Sequence, residues 1–343
     1  MLKSNLKVPL LGIMMSKACP LPIYQSIQED TARLITFTPE SISWTKSTVK
    51  GLLLQDEKWI RKELPLPHAV YNCRYSDEKW TLKKLEQLIG TGKTFNSVTR
   101  FDKWDIHRIL AAAPSGRHTP KTQLYSPRGL ENLLNQHQAA VIKPRKGHLG
   151  QNILLVKINE NREYQLYQYH SIPICTSKSW RGFMQFLRKH LVTEDYVVQQ
   201  FIPIAMTSSR IFDIRLLVQK GFEEQWNVTA TLSRVAVRNY FVTNVCRSII
   251  PVEEALAHKQ LDQGKLLEQL TQMSLQIAEL LDKHLGLLGE ISVDFALDEQ
   301  NYPWIIEVNG MPSKELFLPL RNRKILKKAY QSPLEYAYSL ATK

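Results

Sequence analysis

The sequence predicts an α/β (α+β) protein laid out in three stretches, 1–95, 96–202 and 203–343. Three observations predict it. Short β-rich runs alternate with segments of helical apolar period along the chain. Glycine and proline clusters such as Gly90-Thr91-Gly92 and Pro114-Ser115-Gly116 end the helical segments. The 343 residues are 43% hydrophobic and 22% charged, ordinary globular values that exclude a disordered chain, a collagen-like chain and a small disulfide scaffold.

The first stretch reads as a small α/β unit. Residues 8–15 form an apolar run with lysines before it. No small-residue cleavage pattern follows, and Ser16-Lys17-Ala18-Cys19-Pro20 reads as the turn after a first buried strand. Residues 34–38, 51–55 and 69–71 are further strands, and the prolines within 63–68 punctuate the region. Residues 79–89 carry the apolar spacing of an amphipathic helix.

In the second stretch, Phe101, Trp104 and Ile109 recur on one side of a linker helix expected over 97–113. Ser126-Pro127 is a helix start, with Ser as N-cap and Pro at the first helical position, and Leu130, Leu133 and Leu134 form its buried face. Strands are expected at 139–143, 153–157, 164–169 and 196–201, with a helix marked by Phe183, Met184 and Leu187. The third stretch has longer strands at 214–219, 226–232 and 240–243 and a helix over 263–284 capped by Gly286. Strands 290–296 and 304–309 follow, joined by a polar turn, and a basic tail helix ends the chain.

A net charge of +13 favours polyanionic partners. The cations are dispersed except near the C-terminus, and no nucleic-acid motif appears, so nucleic acid is a minor reading. Cys19, Cys73, Cys175 and Cys246 are far apart, which argues against a zinc or redox motif and suits a reducing cytoplasm. No apolar run approaches the roughly 18–20 residues of a membrane span.

The last hairpin carries the strongest chemical signal. With side chains alternating faces, Glu290, Ser292 and Asp294 share one face, and Ile305, Glu307 and Asn309 share one on the next strand. Antiparallel pairing then lets Asp294, Glu307 and Asn309 converge. Two carboxylates and an amide oxygen are hard ligands that suit Mg²⁺, and a solvated edge with ordinary surface acids is the alternative. A second signal is Lys143-Pro144-Arg145-Lys146-Gly147-His148-Leu149-Gly150-Gln151-Asn152 between two strands. Glycines let backbone N–H groups approach phosphate, although a basic hairpin turn fits the same residues. A third is Gln199-Gln200-Phe201-Ile202, a strand end placed to offer backbone groups to an adenine edge.

Taken in order, Asp102-Lys103, the Lys143 loop, Gln200, Asp213-Ile214-Arg215, Arg234, Asn244 and the acidic hairpin resemble the ATP-grasp superfamily of carboxylate–amine ligases over about 95–315. The spacing Asp294, Glu307, Asn309 is similar to that of D-alanine–D-alanine ligase and of glutamate ligases of the RimK type. Gly12-Ile13-Met14, Phe37-Thr38-Pro39 and Pro65-Leu66-Pro67-His68 resemble the YheC/YheD group, described as endospore coat-associated. The resemblance implies an N-terminal pre-ATP-grasp domain (1–95) and two subdomains (96–202 and 203–343) clasping ATP. It places Lys103, Lys143, Lys146, Gly147 and Gly150 at the phosphates and Gln199, Gln200, Phe201 and Ile202 at the base. It assigns Arg215, Arg234 and Asn244 to catalysis, and Asp294, Glu307 and Asn309 to one or two Mg²⁺. Asn152 stands where a third glycine is common, Gln200 where Glu is usual, and no Gly-Gly follows Asn244-Val245-Cys246-Arg247.

The implied activity joins a carboxylate to an amine through an acyl phosphate, on small-molecule or peptide substrates with an acidic acceptor, in the cytoplasm or the spore coat. A non-catalytic nucleotide-binding scaffold and an ATP-grasp kinase are the other readings. His148 is a solvated loop residue or a phosphate contact, and Cys246 has no required role as a nucleophile.

Overall fold

A computed structural model describes residues 8–27, 31–147, 150–192 and 195–343. The N-terminal elements are β1 (Leu10–Met14), α1 (Pro22–Ile27), β2 (Arg33–Ser43), β3 (Thr48–Gln55), β4 (Lys58–Pro65), β5 (Ala69–Asn72), α2 (Trp80–Ile89) and β6 (Thr94–Phe95). They build a sheet in the order β4-β3-β2-β1-β5-β6. The apolar run at 8–15 becomes β1, buried at every position between two parallel neighbours. β4 is the strand that apolar alternation does not announce. It lies at the sheet edge with no position fully buried, and Pro65 ends it where the missing N–H costs no ladder bond.

The middle elements are α3 (Lys103–Ala111), β7 (Thr122–Leu124), α4 (Pro127–His137), β8 (Ala139–Pro144), β9 (Leu154–Ile158), β10 (Tyr164–Tyr167), β11 (Cys175–Ser177), α5 (Trp180–Arg188) and β12 (Tyr196–Gln200). The linker helix starts later than its apolar period suggests. Asp102 accepts from the Trp104 N–H at 2.9 Å and caps α3 there, while the Ser97 N–H donates to the Leu287 carbonyl. Ser126 caps α4 through the Gly129 N–H, as expected. The sheet β11-β10-β9-β8-β12-β7 buries one face, including Ile142, Val156 and Val198, under α4 and α5. Its other face carries Val141 and Lys143 opposite Gln199 and Val197.

The last elements are β13 (Met206–Thr207), β14 (Arg210–Lys220), β15 (Trp226–Ala236), β16 (Cys246–Ile250), α6 (Val252–Leu256), α7 (Gln263–Leu285), β17 (Glu290–Leu297), β18 (Pro303–Asn309) and α8 (Arg323–Thr342), with a 3-10 helix at Lys314–Leu320. The sheet order is β16-β15-β14-β17-β18, with β13 on β14. Ile214, Leu216, Val218, Ile291 and Val293 pack against Leu270, Ile277 and Leu281 of α7. Period two therefore turns Asp213, Arg215, Arg234 and Asp294 to the opposite face.

Two expectations change here. No strand forms over 240–243; Asn239 takes φ 66°, the Tyr240 N–H closes a turn on the Val237 carbonyl, and the segment meets the middle sheet through a His170–Tyr240 bridge and the packing of Val242 against Val141, Leu155 and Tyr167. The edge strand is β16 instead. In β18, a register shift sets Asp294 against Glu307 but Phe295 against Ile305. Ile305 thus joins Val308 in the helix-facing core rather than sharing a face with Glu307.

α8 is two things in one helix. Arg323, Lys324, Lys327 and Lys328 are exposed, whereas Tyr336, Ala337 and Leu340 are buried against Leu11, Tyr24, Tyr71 and Phe95 of the N-terminal unit. The tail helix is therefore basic only over its first turns. Under it, Lys314 donates to both Glu290 oxygens at 3.1 and 2.8 Å and to the Tyr71 hydroxyl at 2.6 Å. The Tyr71 hydroxyl also donates to Glu290, and Gln219 Nε2 donates to Glu290 at 2.9 Å.

Candidate active site

The open face of the middle sheet and the polar face of the last sheet enclose a cavity of about 480 Å³, lined by Lys103, Lys143, Arg215, Arg234, Asn244, Glu307 and Asn309 among others. An adjoining apolar recess of about 80 Å³ is lined by Val141, Ile153, Gln200, Phe201, Ile202 and Ile306, and shares Lys143, Gln199, Asn244 and Glu307 with the main cavity.

Pairing of β17 with β18 places Asp294 directly across from Glu307 and Ser292 across from Asn309. Asn309 Nδ2 lies 3.4 Å from Asp294 Oδ2. The three residues expected to converge do so on one face of the sheet: Glu307 and Asn309 line the cavity, and Asp294, 1% exposed, lies behind them.

Around them runs an alternating chain of charge. Arg215 grips Asp294 through Nε to Oδ1 and Nη2 to Oδ2, both at 2.7 Å. Arg234 Nη2 donates to Asp294 Oδ2 at 2.9 Å and also to Asp213, and its Nη1 donates to Asn244 Oδ1 at 3.1 Å. The Thr243 hydroxyl donates to Asp213 as well. Burial pushes the Asp294 carboxyl up, but Arg215 and Arg234 outweigh burial and hold it below the usual carboxylate range. Glu307 is likewise pushed up by burial and brought below its ordinary value chiefly by Lys103, whose Nζ is 3.1 Å away. The arginines expected to face a transferring group are thus engaged with Asp294 and Asp213.

Lys143 differs. It is 9% exposed, and its Nζ donates to Gln199 Oε1 at 2.7 Å. Among the described residues it is the cation of this cluster with no carboxylate in an ion pair. Burial lowers its ammonium to about 8.

The loop after β8 is held from two sides. Lys146 turns to Asp77 at 2.5 Å rather than into the cavity. The Gly147 carbonyl accepts from the Tyr75 hydroxyl at 3.0 Å and from Lys103 Nζ at 3.3 Å. Gly150 takes φ 68°, and a Cβ there would meet Asn244 Nδ2 at 2.5 Å, so this position needs glycine twice over. Asn152 sits at φ 57°, the left-handed conformation its short amide tolerates. His148 lies outside the described residues. Sequence reasoning did not find Tyr75, Thr99, Phe101, Met311 and Ser313, which complete the cavity wall. They belong to the connections before α2, before α3 and after β18, and no motif marks them.

Two sheets closing on one cation-rich cleft, with a carboxylate pair on its floor, define the ATP-grasp fold. D-alanine–D-alanine ligase from Bacillus anthracis, solved complexed with ATP, superposes with a TM-score of 0.53 at 12% identity over 97% of this chain and 98% of that one. Residues 91–340 match the YheC/D like ATP-grasp family, and the chain belongs to that family. It is 24% identical over 331 residues to the endospore coat-associated protein YheD of Bacillus subtilis strain 168, covering 90% of this chain and 70% of that protein. It is 22% identical to YheC of the same strain over 83% of this chain and 82% of that one. No helix among the described residues is long and apolar enough to cross a membrane.

Proposed function

We propose that the chain is an ATP-dependent carboxylate–amine ligase. The observation that carries this is the placement of Glu307 and Asn309 beside Lys103 and Lys143 in one cavity, with Asp294 paired to Glu307 across the hairpin and buried behind the cavity wall. A hard-oxygen donor set and a buried ammonium without a carboxylate partner fit a divalent cation and a polyphosphate. Asp294, Glu307 and Asn309 would hold Mg²⁺, which when bound neutralises charge on the phosphates. Lys143 and Lys103 hold the phosphates, and the apolar recess with the 200–202 backbone takes the adenine.

The substrate carboxylate oxygen attacks the γ-phosphorus and ADP leaves; the amine then attacks the acyl carbon and phosphate leaves. Arg215 and Arg234 orient the acidic floor and stabilise charge that develops above it. The chemistry requires no protein nucleophile, and Cys246 serves as cavity wall.

Screening ADP release with pooled amino acids and short acidic peptides tests the reading. Amine-dependent ADP release is expected, whereas a phosphorylated product would point to a kinase and no turnover to a scaffold. Under the same assay Glu307→Gln should raise the Mg²⁺ needed for half-maximal ADP release at least about tenfold. Glu299→Gln, in the exposed turn of the hairpin, should not move it. Equal shifts would reduce the hairpin to an ordinary edge.

The Lys143 ammonium gives a pH signature. Phosphate contact favours its charged form, so above about pH 8 the bound state holds more protons than the free chain. ATP affinity should therefore be flat below pH 8 and fall by up to about tenfold per unit above it. Calorimetry at pH 7, 8 and 9 reads this directly, and a flat profile would remove Lys143 from the phosphates.

A further inference from the structure

The cavity does not end at the acidic floor. Cys246, Ser313 and Leu316 line it and do not line the apolar recess. Leu316 packs with Ile249, Leu320 and Ile325 in one apolar cluster, so the cavity wall, the edge strand β16 and the start of α8 are fixed to one another. Just outside that cluster stand six exposed cations: Arg247, Arg321, Arg323, Lys324, Lys327 and Lys328. Arg247 is the extra residue of a β-bulge, between Cys246 opposite Ala236 and Ser248 opposite Val235. Arg323 with Lys327, and Lys324 with Lys328, are one turn apart on the solvent side of α8.

None of the six is in an ion pair among the described residues. The nearest acid in sequence, Glu315, accepts from the Ser313 hydroxyl at 2.6 Å. Glu253 and Glu254 belong to α6, which packs on the opposite face of the sheet. Met311, in the cavity wall, and Leu318, in the 3-10 helix that leads to the cations, are 41% and 53% exposed. Adjacent apolar and cationic surface suits a polypeptide. A nucleic-acid strand would favour aromatic stacking platforms, and residues 321–328 contain no aromatic residue.

We propose that this surface binds an acidic polypeptide as the acceptor substrate, its reacting group in the cleft past Leu316 and its chain lying outward over Arg247 and the cationic turns of α8. The acceptor role rests on the ligase reading above; the binding surface does not, and the two are tested apart.

The test is fluorescence anisotropy of a labelled ten-residue glutamate peptide, without nucleotide, at rising salt. The parent chain should bind it, with affinity falling steeply as screening shortens the reach of charge to about 8 Å at physiological ionic strength. Replacing Arg321, Arg323, Lys324, Lys327 and Lys328 with Gln should weaken binding at least about tenfold, since each exposed contact is small but the five act together. A control variant with Lys17, Lys46, Lys58, Arg61 and Lys62 changed to Gln removes the same charge from exposed positions of the N-terminal unit and should bind as the parent does. Three results would overturn the proposal: equal loss in both variants, binding that ignores salt, or an oligonucleotide of equal charge binding more tightly at the same surface. ADP release on the same samples reads the ligase proposal separately.

Discussion

Lys143→Met should weaken Mg-ATP binding by about 30- to 100-fold, the range expected when a charge-assisted contact to phosphate is lost. The same change should leave the free chain as stable as before, or slightly more so. The ammonium is buried without a carboxylate partner, and methionine fills the same volume without the desolvation cost. Opposite signs for ligand binding and intrinsic stability separate a binding residue from a structural one. Titration calorimetry and thermal unfolding with and without ATP give both numbers, and the affinity loss above pH 8 should vanish with the lysine. A variant that melts early but still binds ATP would show that Lys143 holds the sheet instead.

Lys314→Met should be the most destabilising of the single changes considered, costing about 3–5 kcal/mol. It strands Glu290, 2% exposed, with the Tyr71 hydroxyl and Gln219 as donors but no counter-charge. The double change Glu290→Gln with Lys314→Met should recover part of the loss, because it removes the unpaired charge together with its former partner. Urea unfolding of the parent, the single variant and the double variant measures this. A single variant within about 1 kcal/mol of the parent would mean that solvent reaches Glu290.

What was legible in the sequence was local. Period two put Asp294, Glu307 and Asn309 on one face, and Ser126-Pro127 marked a helix start; neither depends on distant residues. The shift that moves Ile305 into the core is a single inserted residue, for which composition carries no signal. The partners of Arg215 and Arg234 were out of reach because they come from pairing β14 with both β15 and β17, segments about 20 and 80 residues apart. The family resemblance put Lys146 at the phosphates, but its partner Asp77 is supplied by the N-terminal unit. The tail helix read as basic because its first turns are cationic. The signal that corrects this, Tyr336, Ala337 and Leu340 at helical spacing, lies further along the same helix.

That burial of the end of α8 bears on how the chain must be made. The face of the first sheet formed by Leu11, Ile13 and Tyr71, with Tyr24 of α1 beside it, gains its cover from Tyr336, Ala337 and Leu340. Translation adds roughly 5–20 residues per second, so the N-terminal sheet waits some tens of seconds for its last layer. During that interval it presents parallel strands with one apolar face covered only in part, by α1, the kind of surface that chaperones recognise and that aggregates when crowded. A nascent chain stopped just before α8 holds the strands of both cleft-forming sheets and an unfinished N-terminal core. Completion of the N-terminal sheet is thus coupled to the arrival of α8.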